Sequence, residues 1–372
     1  MNQHREDSEP TAESARTIRV AFWNLQNLFD VESSAIASEL DYTPAFGWTR
    51  NALQRKIANL AGVINQMFDG TGPDLLGLCE IESEELVAQL LSAVDRDDLR
   101  LVKCRSGQTD ALDTVLIYSD RIFTSEENIN CGHNLFQQFP TRDIFEAHLR
   151  LKETDTELVV LVNHWPSRRS DAARTEPYRL TVARQCSQLI DSLVKLPRRD
   201  YLELSDNTVA LYQLNRLWDR NILLMGDFND QPWDRSVQEQ LHAAFSQQHI
   251  RDGIEMLNDS LPSWRSYRHR QVPLFNPMMT LAARPDTGSC FSEQRHPSAS
   301  LQDQFLLSRG LYLGRSGLLV ECSEDGIPAI DIFRPSQMTD KQGRPIPFRV
   351  DQLTGYSDHF PIAMELSVEG AE

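Results

Sequence analysis

The stretch LLMGDFND, residues 223–230, decides the fold class of this chain. Its leading residues form a continuous apolar run, which is typical of a strand covered on both faces. The strand ends on two aspartates and an asparagine, although a buried carboxylate costs free energy unless it is paired or binds a metal ion. Alone, the stretch is equally consistent with a functional site and with a turn that Asp227 caps.

Apolar strands that end on a polar residue recur at three other places. They are the runs 18–23, 74–79 and 158–162, which end at Asn24, at Glu80 and at Asn163-His164. Helical periodicity of apolar residues follows in 47–67 and again in 178–194. This repeated order of strand, helix and strand predicts an α/β fold with two packed β-sheets and helices outside them.

Three further strands begin, rather than end, with a polar residue: Asp113 before 114–118, Asp303 before 305–307, and Asp358-His359 before 360–366. If these strands run antiparallel to the first four, their starts lie at the same sheet edge as the other strands' ends. Nine polar residues then converge on one rim, namely Asn24, Glu80, Asp113, His164, Asp227, Asn229, Asp303, Asp358 and His359. This convergence favours a functional site over isolated turn caps.

The composition indicates a globular protein with an acidic surface. The chain has 372 residues, 40% of them hydrophobic, which is enough for a sizeable core. Its formal net charge of −17 argues against a broad basic surface for duplex nucleic acid. The charge is compatible with an enzyme that touches a few phosphates and relies on a metal ion.

The chain organisation predicts a disordered polar tail over residues 1–17 and a single domain over 18–372. We expect insertions near 198–218 and 259–300, the second of them a long surface loop rich in Pro, Ser, Arg and His. The tail resembles neither a signal peptide nor a membrane anchor, and no apolar run approaches the ~20 residues that span a bilayer. The six scattered cysteines lack zinc-site spacing and predict buried thiols in a reducing cytoplasm.

The predicted rim has the chemistry of a hard-ligand metal site. Carboxylates and amides with two histidines suit magnesium, and manganese is the alternative. Such a metal ion with imidazoles beside it suits hydrolysis of a phosphate ester. The sequence has no GxxxxGK[ST] loop, so phosphoryl transfer of the P-loop kind is unsupported.

Six motifs, in chain order, carry a family resemblance. They are WNLQNLFD (23–30), LLGLCEIES (75–83), VNHWPSRR (162–169), LLMGDFND (223–230), LQDQFLLS (301–308) and YSDHFPI (356–362). Together they resemble the endonuclease/exonuclease/phosphatase superfamily, which includes pancreatic deoxyribonuclease, abasic-site endonucleases, sphingomyelinases and inositol polyphosphate 5-phosphatases. The resemblance covers 18–366 and implies a four-layered α/β sandwich, with two mixed β-sheets packed together and flanked by helices.

The resemblance also implies roles for the rim residues. Glu80 resembles the family's metal-binding glutamate, with Asn24 beside it and Asp358 completing the metal side. Asp227 and Asn229 resemble the pair that activates water and holds the phosphate.

Two histidine–carboxylate pairs complete the implied site. His359 resembles the histidine that contacts the scissile phosphate, with Asp303 orienting it. His164 resembles the second histidine of the deoxyribonuclease and sphingomyelinase branches, and Asp113 falls where the deoxyribonuclease branch places its carboxylate partner. We therefore expect an Asp113–His164 hydrogen bond and a separate Asp303–His359 hydrogen bond at the same rim.

Substrate contacts are less well defined by the sequence. Arg142 falls where the deoxyribonuclease branch has a phosphate-binding arginine, and Arg168 is open to two interpretations, a phosphate contact or a solvated loop. The chain also departs from the subgroup that has NHWPSRR. Gln26 stands where a glutamate is usual, Ser170-Asp171 where two glycines are usual, and Ser83 where an asparagine is usual.

The sequence thus predicts a cytoplasmic, magnesium-dependent phosphodiesterase, and the motifs NHWPSRR and GDFND favour a nuclease that acts on DNA or RNA through few phosphate contacts. The alternative is a phosphatase or phosphodiesterase for a lipid head group or a small phosphorylated metabolite, which the acidic charge favours mildly. A third class, a binding protein on an inactive scaffold, conflicts with the intact polar set. The sequence leaves the oligomeric state open.

Overall fold

A computed structural model describes residues 16–32, 42–103, 113–127, 129, 131–133, 143–168, 172–204, 207–251, 261–284, 287–291 and 298–368. Residues 1–15, which form most of the predicted tail, lie outside the described residues. So does Arg142.

Seventeen strands are described. They are β1 (Thr17–Leu28), β2 (Leu75–Ile81), β3 (Leu99–Leu101), β4 (Thr114–Ser119), β5 (Phe123–Ser125), β6 (Cys131–His133), β7 (Ile144–Leu151), β8 (Glu157–His164), β9 (Ile222–Asp227), β10 (Ala243–Ala244), β11 (Leu274–Phe275), β12 (Cys290–Phe291), β13 (Ala299–Ser300), β14 (Asp303–Leu307), β15 (Leu318–Val320), β16 (Ile330–Ile332) and β17 (Ile362–Val368).

Nine α-helices are described as well. They are α1 (Arg50–Gly70), α2 (Glu84–Ala93), α3 (Ala172–Val194), α4 (Arg198–Leu202), α5 (Asn207–Trp218), α6 (Gln247–Arg251), α7 (Trp264–His269), α8 (Met279–Ala282) and α9 (Arg309–Leu313). Among the described residues, no helix is long and apolar enough to cross a membrane.

Two large mixed sheets form the framework. The first has the order β15-β17-β1-β2-β4-β3, with β16 also paired to β17, and the second has the order β10-β11-β14-β9-β8-β7-β5, with β6 also paired to β7. The first sheet joins strands from both ends of the chain, so the sheets do not divide the chain into two consecutive halves. The predicted strand directions are confirmed, because β4, β14 and β17 run antiparallel to β2, β9 and β1.

The sheets pack face to face through a close approach at Gly77 in β2. A Cβ atom added at Gly77 would lie 2.5 Å from Met225 Sδ in β9, so a larger residue would require the Met225 side chain to shift. One buried apolar cluster unites the inner faces of both sheets. The outer face of the second sheet, with Leu161 and Leu224, packs on Ala183 and Ile190 of α3. The four-layered α/β sandwich is therefore confirmed.

Local sequence explains where the helices over the first sheet begin. Thr49 caps α1 by accepting a hydrogen bond from Ala52 N, and the apolar face of α1, with Leu53 and Leu60, is buried against the core. Ser83 caps α2 by accepting from Leu86 N. The serine that departs from the subgroup pattern therefore has a structural role at this helix start.

The two predicted insertions contain regular structure. The stretch near 198–218 forms α4 and α5. The prediction of a long surface loop over 259–300 is wrong for its central part, because β11 pairs with both β10 and β14 in the second sheet. Leu274 and Phe275 of β11 are buried there.

Candidate active site

Three hydrogen bonds join the two sheets at one rim. Asn24 of the first sheet donates from Nδ2 to Asp227 Oδ2 of the second at 3.1 Å. His164 Nδ1 lies 2.9 Å from Asp113 Oδ2, and His359 Nδ1 lies 2.7 Å from Asp303 Oδ2. The predicted convergence of strand ends and strand starts on one rim is confirmed, as are both predicted histidine–carboxylate hydrogen bonds.

Asn24 lies between the two carboxylates at the centre of the rim. Its Nδ2 donates to Glu80 Oε1 at 3.0 Å as well as to Asp227, and its Oδ1 accepts from Gln26 N at 2.9 Å. Asn27 N donates to the second oxygen of Glu80, Oε2, at 2.8 Å. Both oxygens of Glu80 are therefore oriented by donors from the end of β1.

Left-handed backbone is concentrated at this rim. Gln26, Asn27, Glu80 and Asn229 have φ values of 54°, 58°, 61° and 49°. Residues with side chains adopt this region at a cost of roughly 1–2 kcal/mol each. Such strain persists where the surrounding structure holds it, and it clusters at functional sites. The four residues therefore mark the rim independently of its charges.

His164 points its two ring nitrogens at different carboxylates. Nδ1 faces Asp113, while Nε2 lies 3.7 Å from Glu80 Oε1 and 3.9 Å from Asp227 Oδ2. The ring is almost fully buried at the end of β8. Asp113 therefore orients a ring whose other nitrogen faces the centre of the site.

His359 and Asp303 form the second pair. Burial lowers the pKa of His359, but the neighbouring charge of Asp303 and their hydrogen bond outweigh it, and the net pKa lies well above the ordinary range of histidine. His359 is therefore an imidazolium donor at neutral pH. Its backbone is held as well, because its carbonyl accepts from Trp23 Nε1 at 2.8 Å and its N–H donates to Ser357 Oγ at 3.1 Å.

Asp227 carries a carboxyl group suited to proton transfer. Burial and the charge of Asp303 raise its pKa above the ordinary range of aspartate. Asn229 N donates to Asp227 Oδ1 at 2.9 Å, and Asn229 Nδ2 donates to Trp165 O at 3.0 Å. The amide of Asn229 is thus fixed beside the carboxylate, as the pairing of these residues in the sequence led us to expect.

Arg168 is anchored to the loop that follows β9. Its Nη2 donates to Asp230 Oδ1 at 2.6 Å and also to Asp234. Arg179, which is buried in α3, donates to the same Asp230 oxygen at 2.7 Å. Two arginines therefore hold the loop that carries Asn229, and contact between Arg168 and a substrate phosphate stays a prediction.

Sequence reasoning missed two residues at the rim. Lys56 of α1 is fully buried beneath the end of β1, and burial lowers its pKa to about 7 although Glu80 and Asp358 oppose the shift. Cys290 of β12 forms a β-bridge with His359. Ligand atoms of Cys290, Asp303 and His359 lie within 4.8 Å of one another.

The donor set at the rim fits a hard divalent cation. Glu80 and Asp358 offer carboxylate oxygens, and both lie close enough to influence the pKa of Lys56. Asp303 Oδ1 is buried and has no hydrogen-bond partner among the described residues. The adjacent carboxylates of Asp227 and Asp303 repel each other, and a bound cation would offset that repulsion.

The profile of the Endonuclease/Exonuclease/phosphatase family matches residues 19–368, which is nearly the whole described chain. The chain belongs to this family. Members of the family are hydrolases that act on phosphoester bonds, and they generally depend on a divalent metal. A comparison with curated protein sequences finds no match.

Solved structures of other family members share the fold at low identity. A mannosyl-6-phosphatase of Bacteroides thetaiotaomicron is 13% identical with a TM-score of 0.52, over 94% of this chain and 99% of that one. An endonuclease/exonuclease/phosphatase family protein of the same organism is 12% identical with a TM-score of 0.51, over 96% and 100%. D. rerio TDP2 in complex with a single-stranded DNA product is 12% identical with a TM-score of 0.50, over 95% and 99%.

Proposed function

We propose that this protein hydrolyses phosphodiester bonds with magnesium, or manganese in its place, and that its substrate is a nucleic-acid strand. The observation that carries the proposal is the pair of cross-sheet hydrogen bonds, Asp113–His164 and Asp303–His359. They orient two imidazoles at the rim that carries the carboxylates Glu80 and Asp227. Hydrolysis of a phosphodiester requires groups that activate the attacking water, bind the charged phosphate and protonate the leaving oxygen. This set of side chains supplies all three.

Each residue of the site has a separate role in the proposed reaction. Asp227, with its raised pKa, accepts a proton from the attacking water, and Asn229 holds that water and the phosphate. His359 donates a hydrogen bond to a phosphate oxygen, and His164 delivers a proton to the leaving oxygen. Glu80, with Asn24 and Asp358, would hold the metal ion. When bound, that ion neutralises charge developing on phosphate oxygens.

A nucleic-acid strand is the substrate that two observations favour. The second histidine, His164, belongs to the motif VNHWPSRR, which resembles nuclease-like members. The structurally similar D. rerio TDP2 was solved with a single-stranded DNA product. The net charge of −17 argues against a broad basic surface for duplex, so we favour a single strand held by a few phosphate contacts.

A phosphatase for a small phosphorylated metabolite is the second candidate. The acidic net charge favours it, because nonspecific attraction to a polyanion is weak on such a surface. The similar fold of a mannosyl-6-phosphatase supports it as well. Both candidate activities use the same rim residues, and they differ only in the part of the substrate that binds beside those residues.

A substrate panel separates the candidates. Plasmid DNA, single-stranded DNA, RNA and phosphorylated sugars and lipid head groups are each incubated with the protein and magnesium, with EDTA as the matched control. We expect cleavage of a single-stranded nucleic acid that EDTA abolishes. Release of phosphate from a small ester with no strand cleavage would replace the nuclease assignment by the phosphatase one. No reaction with any member would overturn both.

A further inference from the structure

Lys56 is a buried lysine whose amine donates hydrogen bonds to backbone carbonyls next to the metal side of the site. The residue is fully buried. Its Nζ donates to Gln26 O and, at 3.3 Å, to Asn27 O. Burying an amine costs free energy unless hydrogen bonds satisfy it, so this lysine is held in place by the turn that it binds.

Aromatic rings surround the amine on its other sides. The ring centroids of Tyr42, Trp48 and Phe348 lie 5.8, 5.9 and 5.5 Å from Nζ. Ring faces at this distance attract a cation and exclude water. The amine of Lys56 therefore has no water to bind on these sides, and its N–H donors remain directed at the two carbonyls.

Those two carbonyls belong to the strained turn at the end of β1. Gln26 and Asn27 are consecutive left-handed residues, and the pairing of β1 with β2 shifts register between Asn24 and Leu28. Gln26 N donates to Asn24 Oδ1, and Asn27 N donates to Glu80 Oε2. The turn thus directs one N–H at each of two predicted metal-side residues.

We propose that Lys56 is a positioning residue that holds the Gln26–Asn27 turn and thereby the orientation of Glu80. The lysine touches neither substrate nor metal ion in this account; it acts through the turn. The role depends on N–H donation from the amine, which both its charged and neutral forms provide. The inference rests on the proposed function only in taking Glu80 as a metal ligand.

Lys195 provides a matched control at a distance from the rim. It also donates to two backbone carbonyls, Arg268 O at 3.3 Å and Arg270 O at 2.5 Å, and its Nζ lies 5.9 Å from the Trp218 ring. It lies just beyond the end of α3, where Leu193 O accepts from Arg220, and therefore near the start of β9 and not near the Asp227 end of that strand. Its replacement removes a similar pair of carbonyl contacts, together with an ion pair to Asp191 at 2.8 Å, and leaves the end of β1 intact.

The test compares Mn²⁺ binding by calorimetry in the full-length wild type, Lys56→Met and Lys195→Met, with thermal unfolding of each. We expect Lys56→Met to raise the Mn²⁺ dissociation constant by about 10–100-fold, the range for residues that orient metal ligands. Lys195→Met lowers thermal stability but leaves the constant unchanged. If Lys56→Met does not fold, Lys56→Gln, which retains one amide donor, takes its place with the same direction of effect.

A second substitution separates positioning from charge. Glycine adopts the left-handed region without penalty, so Asn27→Gly in the Lys56→Met background removes backbone strain that the lysine otherwise helps to offset. We expect this double variant to regain part of the lost Mn²⁺ affinity. Unchanged or tighter binding in Lys56→Met would overturn the positioning role, and so would a double variant with no recovery. A wild type that binds no Mn²⁺ would instead overturn the metal assignment of the proposed function.

Discussion

Asp303 lies directly opposite Asp227 in the antiparallel pairing of β14 with β9. Two buried carboxylates thus share one point of the rim, and each has a distinct partner. Asp303 accepts from His359, while Asp227 accepts from Asn24 and from Asn229 N. The repulsion between them raises the pKa of Asp227 beyond the effect of burial. This relationship is the origin of the acid–base chemistry that we propose.

Asp227→Asn tests the acceptor of the water proton. The amide keeps the shape of the side chain and removes its basicity, so kcat should fall by about 10²–10⁴-fold while KM changes little. Steady-state kinetics on the preferred substrate measures both constants. A variant with a raised KM and a normal kcat would remove Asp227 from the chemistry and leave it a binding role.

Asp303→Asn tests whether the protonation of His359 sets the alkaline limb of the pH–rate profile. The raised pKa of His359 means that the ring is protonated at neutral pH and loses its proton only well above its ordinary range. Removing the charge of Asp303 should move the alkaline limb of the pH–rate profile to lower pH. His359→Ala, which has no ring to titrate, is the companion variant and should lose that limb. An alkaline limb that stays in place in Asp303→Asn would contradict the role of the pair.

Asp113→Asn tests the other pair. The amide replaces the carboxylate that accepts from His164 by a weaker, neutral acceptor, so the imidazole is oriented less firmly and turnover should fall. We expect a loss of about 10²-fold, at the lower end of general acid–base effects. Turnover equal to that of the wild type would exclude Asp113 from the reaction.

A histidine on β7, away from the rim, should make stability depend on pH. Burial lowers the pKa of His148, but the hydrogen bonds that its ring donates to Glu146 at 2.8 Å and to Glu157 at 3.3 Å raise the pKa to about 9. Because the folded-state pKa is raised, the stabilisation is complete below the ordinary pKa near 6.5 and is lost as pH rises towards 9. The loss is on the order of 2–3 kcal/mol. Urea unfolding of His148→Phe should show a flatter profile over this range than the wild type; equal slopes would refute the assignment.

Strand-end residues could be predicted because their signal is local. Glu80, His164 and Asp227 each end an apolar run, and the direction of three other strands brings Asp113 and Asp303 to the same rim. A short stretch of sequence therefore indicates both the strand and the polar residue at its end.

Lys56 and Cys290 could not be predicted because their environments are non-local. Lys56 lies on an amphipathic helix, where a lysine is usually solvated, and its enclosure depends on aromatic residues that precede α1 and on one near the C-terminus. Cys290 reaches His359 through a two-residue strand inside the stretch that the sequence predicts to be a surface loop. The left-handed conformation of Glu80 has no sequence signal, because glycine is the residue that normally marks it.

In the mechanism that we propose, a metal ion held at Glu80 drives phosphodiester cleavage. The most direct test measures turnover of a single-stranded oligonucleotide against magnesium concentration for the wild type and Glu80→Gln, with thermal unfolding confirming that both are folded. We expect saturable, EDTA-sensitive cleavage by the wild type and at least roughly 100-fold slower cleavage by the variant at the same magnesium concentration, because a metal ion contributes several kcal/mol to such a reaction. Undiminished cleavage by Glu80→Gln, or by the wild type in EDTA, would contradict the account.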